Sequence, residues 1–394
     1  MINIFSSYIK KPTIFKNKRV LSSSFIPEKI PHRDQQINQL AMIVAPALKS
    51  LQPSNIFIYG KTGTGKTICT RFMLNELERA ARETGAKIKI VYINCKMKKV
   101  ADTEYRLFAQ FLKDFGVEVP DTGLPTDVLY RKFFEALDKE KQNIILVLDE
   151  IDALVRKVGD EFLYNLTRAN TEISNARLTI IGISNDLSFT EALDARVKSS
   201  LSEEEMIFPP YNAMQLRDIL LERAAEGFMN GTVNEAVINK CAAIAAQEHG
   251  DARRALDLLR VSGEIAERLN EQTVVEKHVD MAEERIDLDR VTETVRNQPK
   301  QSQAVLYAII ESPEDKLLTG DVFEYYKKIC SGNGLKLLTP RRVSDLIAEL
   351  DMFGIISTKV ISKGRYGRSR EIHLAVTGQA LDNVKQILAE RFGE

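Results

Sequence analysis

Gly60-Lys61-Thr62-Gly63-Thr64-Gly65-Lys66-Thr67 fits the spacing G-x-x-x-x-G-K-[ST]. It follows a strand-length apolar run, Asn55–Tyr59, and precedes an amphipathic helical pattern, Ile68–Ala80. Strand, loop and helix in that order make a phosphate-binding loop. Glycines at 63 and 65, on either side of Thr64, let backbone N–H groups wrap a phosphate chain without a Cβ in the way. The helix that follows aims its N-terminal dipole at the same anion. Lys66 is suited to neutralise β/γ-phosphate charge, and the Thr67 hydroxyl to ligate Mg²⁺.

Such a site needs a carboxylate at the end of a neighbouring strand. Ile144-Ile145-Leu146-Val147-Leu148-Asp149-Glu150 supplies two. Asp149 is placed to hold Mg²⁺ through its water shell, and Glu150 to polarise an attacking water. Asp152 suits either the site or the cap of the next helix. A further apolar run, Leu178–Ile183, ends in Ser184-Asn185-Asp186. If that strand neighbours the one ending at Asp149, the Asn185 amide lies beside the γ-phosphate and orients the lytic water. Arg196 stands at the end of this region, and Arg253 and Arg254 open a later helix after Gly250-Asp251.

These groups require a scaffold. Four apolar runs of strand length (Ile56–Tyr59, Ile88–Ile93, Ile144–Leu148, Leu178–Ile183) alternate with helix-length segments, the pattern of a parallel sheet covered on both faces. The α/β region closes at Pro209-Pro210. Beyond it, Ala213–Arg223, Glu235–Gln247 and Ala252–Leu269 are helical patterns with no convincing strand between them. The last hundred residues read helix, helix, helix, β-hairpin, helix, the outline of a winged helix. Four domains are expected: a basic N-terminal arm over 1–33, a P-loop core over 34–210, an all-helical lid over 211–290 and a winged helix over 291–394.

Composition narrows the function classes. Lys+Arg and Asp+Glu both number 55, so the formal net charge is zero. That excludes a protein that coats nucleic acid indiscriminately, but it averages over unlike parts. Residues 1–30 carry six cations against Glu28 alone, which reads as an extended arm. Lys359, Lys363, Arg365, Arg368 and Arg370 fall within 12 residues without an acid, and glycines flank Tyr366 at a tight turn. This is a wing suited to a phosphate backbone or minor groove. The helix before it has Thr339 as N-cap and Pro340 at its first position, with Val343, Leu346, Ile347 and Leu350 as its buried stripe. Arg341, Arg342 and Ser344 then lie where a recognition helix meets base edges. Lys96, Lys98 and Lys99 form a second basic cluster, either a solvated loop or a further DNA contact. No apolar stretch approaches a membrane span, and the N-terminus lacks a secretory signal, so a cytoplasmic location is expected. Four scattered cysteines without a CxxC pair read as thiols, not as a zinc site or disulfides.

In this order the residues resemble an AAA+ ATPase, and more narrowly the archaeal replication initiators of the origin recognition complex and cell division control protein six family. The stretches that carry the resemblance are Ile30-Pro31-His32-Arg33-Asp34, Gly60–Thr67, Leu148-Asp149-Glu150-Ile151-Asp152 and Arg196-Val197-Lys198-Ser199-Ser200. Pro210-Tyr211 with Arg223, and Gly250-Asp251-Ala252-Arg253, complete the set. The resemblance implies that Ile30, Pro31, His32 and Arg33 form the adenine pocket, with Tyr211 and Arg223 closing on the nucleotide. It makes Asn185 the first sensor, Arg253 the second, and Arg196 a finger completing a neighbouring protomer's site. ATP or ADP with Mg²⁺ is the implied cofactor. Double-stranded origin DNA, other initiator protomers and the replicative helicase are the implied partners. The implied activity is slow, regulatory ATP hydrolysis. The other readings are a remodelling AAA+ ATPase with a protein-binding winged helix, and a nucleotide-gated transcription regulator.

Overall fold

The computed structural model describes residues 13–96, 103–120, 123–191, 193–201, 204–312, 317–362 and 368–393. Two compact units divide between Val279 and Asp280.

The first unit is built on five parallel strands, β1 (Ile56–Tyr59), β2 (Ile88–Asn94), β3 (Asn143–Asp149), β4 (Arg177–Ser184) and β5 (Glu204–Ile207), in the order β2-β3-β4-β1-β5. Every residue of β3 is buried, as expected of a strand covered on both faces. One face of the sheet packs Ile58, Val147 and Ile183 against Leu40 of α1 (Asp34–Val44) and Met73 and Leu74 of α2 (Lys66–Thr84). The other packs Phe57, Leu146 and Ile180 against α3 (Glu104–Asp114), α4 (Thr126–Leu137), α5 (Ile151–Val158), α6 (Glu161–Thr167), α7 (Ala169–Glu172) and α8 (Ala195–Leu201).

Four strands sit on the four apolar runs. The fifth, β5, has a single buried residue, Met206, and exposed Glu204 and Glu205. It lies at the sheet edge, where acids discourage pairing with another chain and break the apolar pattern that would reveal a strand.

The lid follows as α9 (Ala213–Gly227), α10 (Glu235–Gln247), α11 (Ala252–Arg268) and α12 (Glu276–Asn297). Side chains of Asn212, Asn234 and Asp251 cap the first three, each accepting a bond from a first-turn amide. α12 is one continuous helix across both the expected boundary at 290 and the division at Val279.

The expectation of an extended arm does not hold for its described part. Ile14, Phe15, Val20 and Leu21 are buried. The backbone of Phe15 bridges that of Phe228, and their rings lie 4.7 Å apart. A Cβ on Gly263 of α11 would stand 2.6 Å from the Phe15 ring, so the arm reaches α11 because that residue is glycine. Lys18 pairs with Glu264 at 2.9 Å. Four apolar residues between the lysines outweigh the charge count, because burial of each contributes about 1.5–3 kcal/mol and a solvated lysine opposes it little.

The second unit holds the rest of α12, then α13 (Lys300–Ile310), β6 (Leu317–Leu318), α14 (Thr319–Gly332), α15 (Pro340–Met352), β7 (Ile356–Ser362), β8 (Arg368–Leu374) and α16 (Gly378–Phe392). Its antiparallel sheet runs β6-β8-β7. Val305, Ile309, Tyr326, Leu346, Ile347 and Leu388 form its core. This is the winged-helix outline with one addition, the two-residue strand β6, too short to leave a sequence pattern.

Candidate nucleotide site and nucleic-acid interface

A cleft opens at the C-terminal ends of β1, β3 and β4, bounded by the P-loop, α9, α11 and the N-terminal arm. Gly63, Thr64, Gly65, Lys66, Thr67, Asp149, Glu150, Asn185, Tyr211, Arg223 and Arg253 all line it. β4 lies between β3 and β1, the adjacency that the placing of Asn185 required.

Lys66 is 5 % exposed, and its ammonium donates to the carbonyl oxygens of Gly60 at 2.6 Å and Lys61 at 2.7 Å. Burial, reinforced by the Arg253 charge, lowers its pKa to about 8 against the pull of the carboxylates of Asp149, Asp152 and Glu150. A cation held in this way is short of an anion. The Thr67 hydroxyl donates to Oδ2 of Asp149 at 3.1 Å. Among the described residues no cluster of three or more His, Cys, Asp or Glu side chains is able to hold a metal alone. One hydroxyl and one carboxylate, completed by phosphate oxygens and water, form a donor set that fits Mg²⁺. Glu150 has a left-handed backbone (φ 57°) at the start of α5, and Lys96 approaches its carboxylate at 3.4 Å. Asp152 is turned away: it accepts a bond from the Ser184 hydroxyl at 3.0 Å, tying α5 to the end of β4.

The lid meets the P-loop directly. Gly63 has φ 70°, and a Cβ there would lie 1.8 Å from Oδ1 of Asp251. The Ala252 amide donates to the Gly63 carbonyl at 3.2 Å. The structure separates the two lid arginines: Arg253 faces the cleft, while Arg254 pairs with Glu248 at 3.0 Å.

The cleft receives two of the four residues expected in the adenine pocket. Ile30 and Pro31 line the cleft, joined by Ser23, Ser24, Ile26 and Pro27 of the arm. His32 instead contacts Asp218 of α9 at 2.9 Å. Arg33 is 2 % exposed behind the P-loop. Its Nε donates to the Thr64 carbonyl at 3.0 Å and its Nη2 to the Pro209 carbonyl at 2.5 Å. Its guanidinium lies 3.8 Å from the centre of the Tyr211 ring. Arg223 lines the cleft but donates to the carbonyls of Val20 and Phe25, so it fastens the arm as a wall of the site.

Arg196 does not line the cleft. Both ends of its guanidinium reach Asp194, at 3.0 Å, and it lies over the Tyr164 ring at 4.8 Å.

In the second unit, Val343, Leu346, Ile347 and Leu350 are the buried stripe of α15, capped by Thr339. Arg341 is exposed at its N-terminus. Arg342 is drawn along the helix to Glu349 at 3.4 Å and Asp345 at 3.9 Å. Arg370 donates to the Ser344 carbonyl at 3.1 Å, joining β8 to α15. Lys363, Arg365 and Tyr366 lie outside the described residues, as do Lys98 and Lys99; for Arg368 only the backbone, in β8, is described.

Three family models match in succession: an AAA domain over residues 50–188, a Cdc6 AAA+ ATPase-type lid domain over 217–284, and a CDC6 C-terminal winged helix domain over 293–384. The chain is 51 % identical over 389 residues to an ORC1-type DNA replication protein of Thermococcus kodakarensis, spanning 97 % of this chain and 93 % of that protein. The chain belongs to the ORC1/Cdc6-type replication-initiator family. ORC1-type DNA replication protein 1 of Methanosarcina mazei is 52 % identical over 394 residues, spanning 99 % and 94 %. Among solved structures, the Aeropyrum pernix ORC1 protein in complex with DNA superposes with a TM-score of 0.87 at 44 % identity, covering 96 % of this chain and 98 % of that one. Cdc6p from Pyrobaculum aerophilum shares the fold at a TM-score of 0.60 and 22 % identity, covering 96 % and 99 %.

In this AAA+ ATPase of the initiator family, the cleft residues read from sequence stand on the P-loop, the ends of β3 and β4, the arm, α9 and α11, and one of their neighbours was not read. Tyr92 of β2 went unnoticed. Its hydroxyl donates to Oδ2 of Asp149 at 2.6 Å, and Arg71 lies over its ring at 4.4 Å. Tyr92 faces Val147 in the β2–β3 register, so it shares a sheet face with Asp149 two residues on. Only the strand order, which the sequence does not print, makes that neighbour visible. No helix among the described residues is long and apolar enough to cross a membrane.

Proposed function

We propose that this initiator binds double-stranded origin DNA through its winged helix and ATPase core, and that bound ATP, slowly hydrolysed, regulates its promotion of replicative-helicase loading. The observation that carries the reading is 44 % identity across 96 % of the chain to an ORC1 protein whose solved structure contains DNA. The five cations from Lys359 to Arg370, with no acid among them, and the exposed Arg341 support the winged helix as one contact.

Mg²⁺ bound between Thr67, Asp149 and the nucleotide would neutralise charge on the β- and γ-phosphates. Lys66 binds the same oxygens, Asn185 orients a water, and Glu150 accepts its proton. Arg253 reads the γ-phosphate from the lid. Arg196, outside its own cleft and held by Asp194, acts on the site of a neighbouring protomer, whether the same chain or a paralogue. Hydrolysis that waits for a partner is slow in the isolated chain, which makes the nucleotide a timer.

Footprinting on genomic DNA at about 150 mM salt, with ATP and with ADP, tests the reading. Protection of repeated elements at a replication start is expected, and Arg365→Ala is expected to flatten the salt dependence of log K by about one. Promoter-only protection would favour a transcription regulator. Absence of DNA binding would overturn both and leave a remodelling ATPase.

A further inference from the structure

We propose that Tyr92 is a positioning residue for the metal ligand of the ATPase site. The inference rests on the reading of Asp149 as the carboxylate that holds Mg²⁺. A carboxylate can only accept, so the Tyr92 hydroxyl, 2.6 Å from Oδ2 of Asp149, must donate to it. The Thr67 hydroxyl donates to the same oxygen at 3.1 Å. Two donors on Oδ2 set the carboxylate plane and leave Oδ1 to the metal and its water shell. The Asp149 backbone is fixed too, because its carbonyl accepts from the Cys95 amide at 2.8 Å.

Thr67 cannot hold the carboxylate alone, since its oxygen is itself a candidate metal ligand. Tyr92 stands on β2, the edge strand that pairs with β3, and does not line the cleft. Its ring is braced by the Arg71 guanidinium 4.4 Å from its centre. A donor built on a strand owes its place to the β2–β3 pairing rather than to a ligand contact. This is the arrangement by which a hydrogen-bonded outer partner orients a ligating carboxylate.

Tyr92→Phe removes the hydroxyl and keeps the ring under Arg71. The full-length chain is titrated with Mg²⁺ while binding of a fluorescent ribose-labelled ADP is followed, beside the parent and Asp149→Asn. ADP affinity in chelator is expected to stay within about twofold of the parent, and the Mg²⁺ midpoint to rise at least about 10-fold. A midpoint within about twofold of the parent, or a tighter one, would overturn the proposal. So would an equal loss of ADP affinity with and without metal, which would make the phenol a support of the P-loop. Asp149→Asn separates the failures: if it leaves the midpoint at the parent value, the reading of Asp149 fails. If it shifts the midpoint and Tyr92→Phe does not, the role of Tyr92 alone fails.

Discussion

Arg33→Ala distinguishes a residue that touches the base from one that shapes the site from behind. In the first case the empty protein loses nothing and only ligand affinity falls. The geometry places Arg33 in the second case, buried and bonded to the carbonyls of Thr64 and Pro209 and stacked on Tyr211. A hydrogen bond from a charged donor contributes about 1.5–3 kcal/mol, and a desolvated cation–π contact about 2 kcal/mol. Relief of the guanidinium's own burial offsets part of that sum, and a net loss of about 3–4 kcal/mol is expected. The first unit spans Met1–Val279. At about 2.1 cal/mol/K per residue its unfolding entropy is about 0.6 kcal/mol/K, so the loss lowers Tm by roughly 5–7 °C. The assay is a thermal scan of the nucleotide-free, full-length chain. Arg33→Lys should recover less than half of the loss, because an ammonium cannot reach both carbonyls as a planar fork while stacking on Tyr211. A nucleotide-free Arg33→Ala chain melting within about 1 °C of the parent, with ADP affinity reduced, would refute the reasoning.

Lys66 carries a pH prediction. Its pKa in the empty site is about 8, and a bound phosphate chain stabilises the ammonium, so binding takes up a proton above that pH. ADP affinity measured by calorimetry should therefore hold from pH 6 to 7 and fall roughly 30-fold between pH 7 and 9.5; a flat profile would sink this account of the lysine. The lid arginines are expected to separate. Arg253→Ala should weaken binding of a non-hydrolysable ATP analogue about 10-fold more than that of ADP. Arg254→Ala should leave nucleotide affinities unchanged and cost about 1–2 kcal/mol of stability, since its partner Glu248 is 38 % exposed and half solvated. Equal nucleotide defects in the two variants would show that the cleft does not choose between them.

The P-loop, the Asp149-Glu150 pair and Asn185 were legible because each sits where an apolar strand gives way to polar residues, a boundary that chain order alone displays. Thr339, Pro340 and the stripe from Val343 to Leu350 were legible for a similar reason, the helical period. β5 was hidden, since an edge strand with one inward residue has no alternation to read. The arm was misjudged because a count of lysines is blind to which residues the lid helices offer a surface. His32 and Arg33 were grouped with Ile30 and Pro31 by the family resemblance, yet the chain turns at His32, whose φ is 60°, and sends successive side chains to different places.

The sequence alone determined the chemistry: a P-loop with its acidic partner, a lid with two adjacent arginines, and a basic wing on a mostly helical final domain. Those follow from local spacing, which backbone periodicity translates into faces and ends. Only the tertiary structure decided which arginine lines the cleft, that Arg33 and Arg223 brace the cleft's walls, and that Tyr92 bonds to Asp149. Each of those depends on residues far apart in the chain meeting across a sheet register or a lid contact. Side chains such as Arg and Tyr carry the same local signal whether they face a ligand, a carbonyl or solvent.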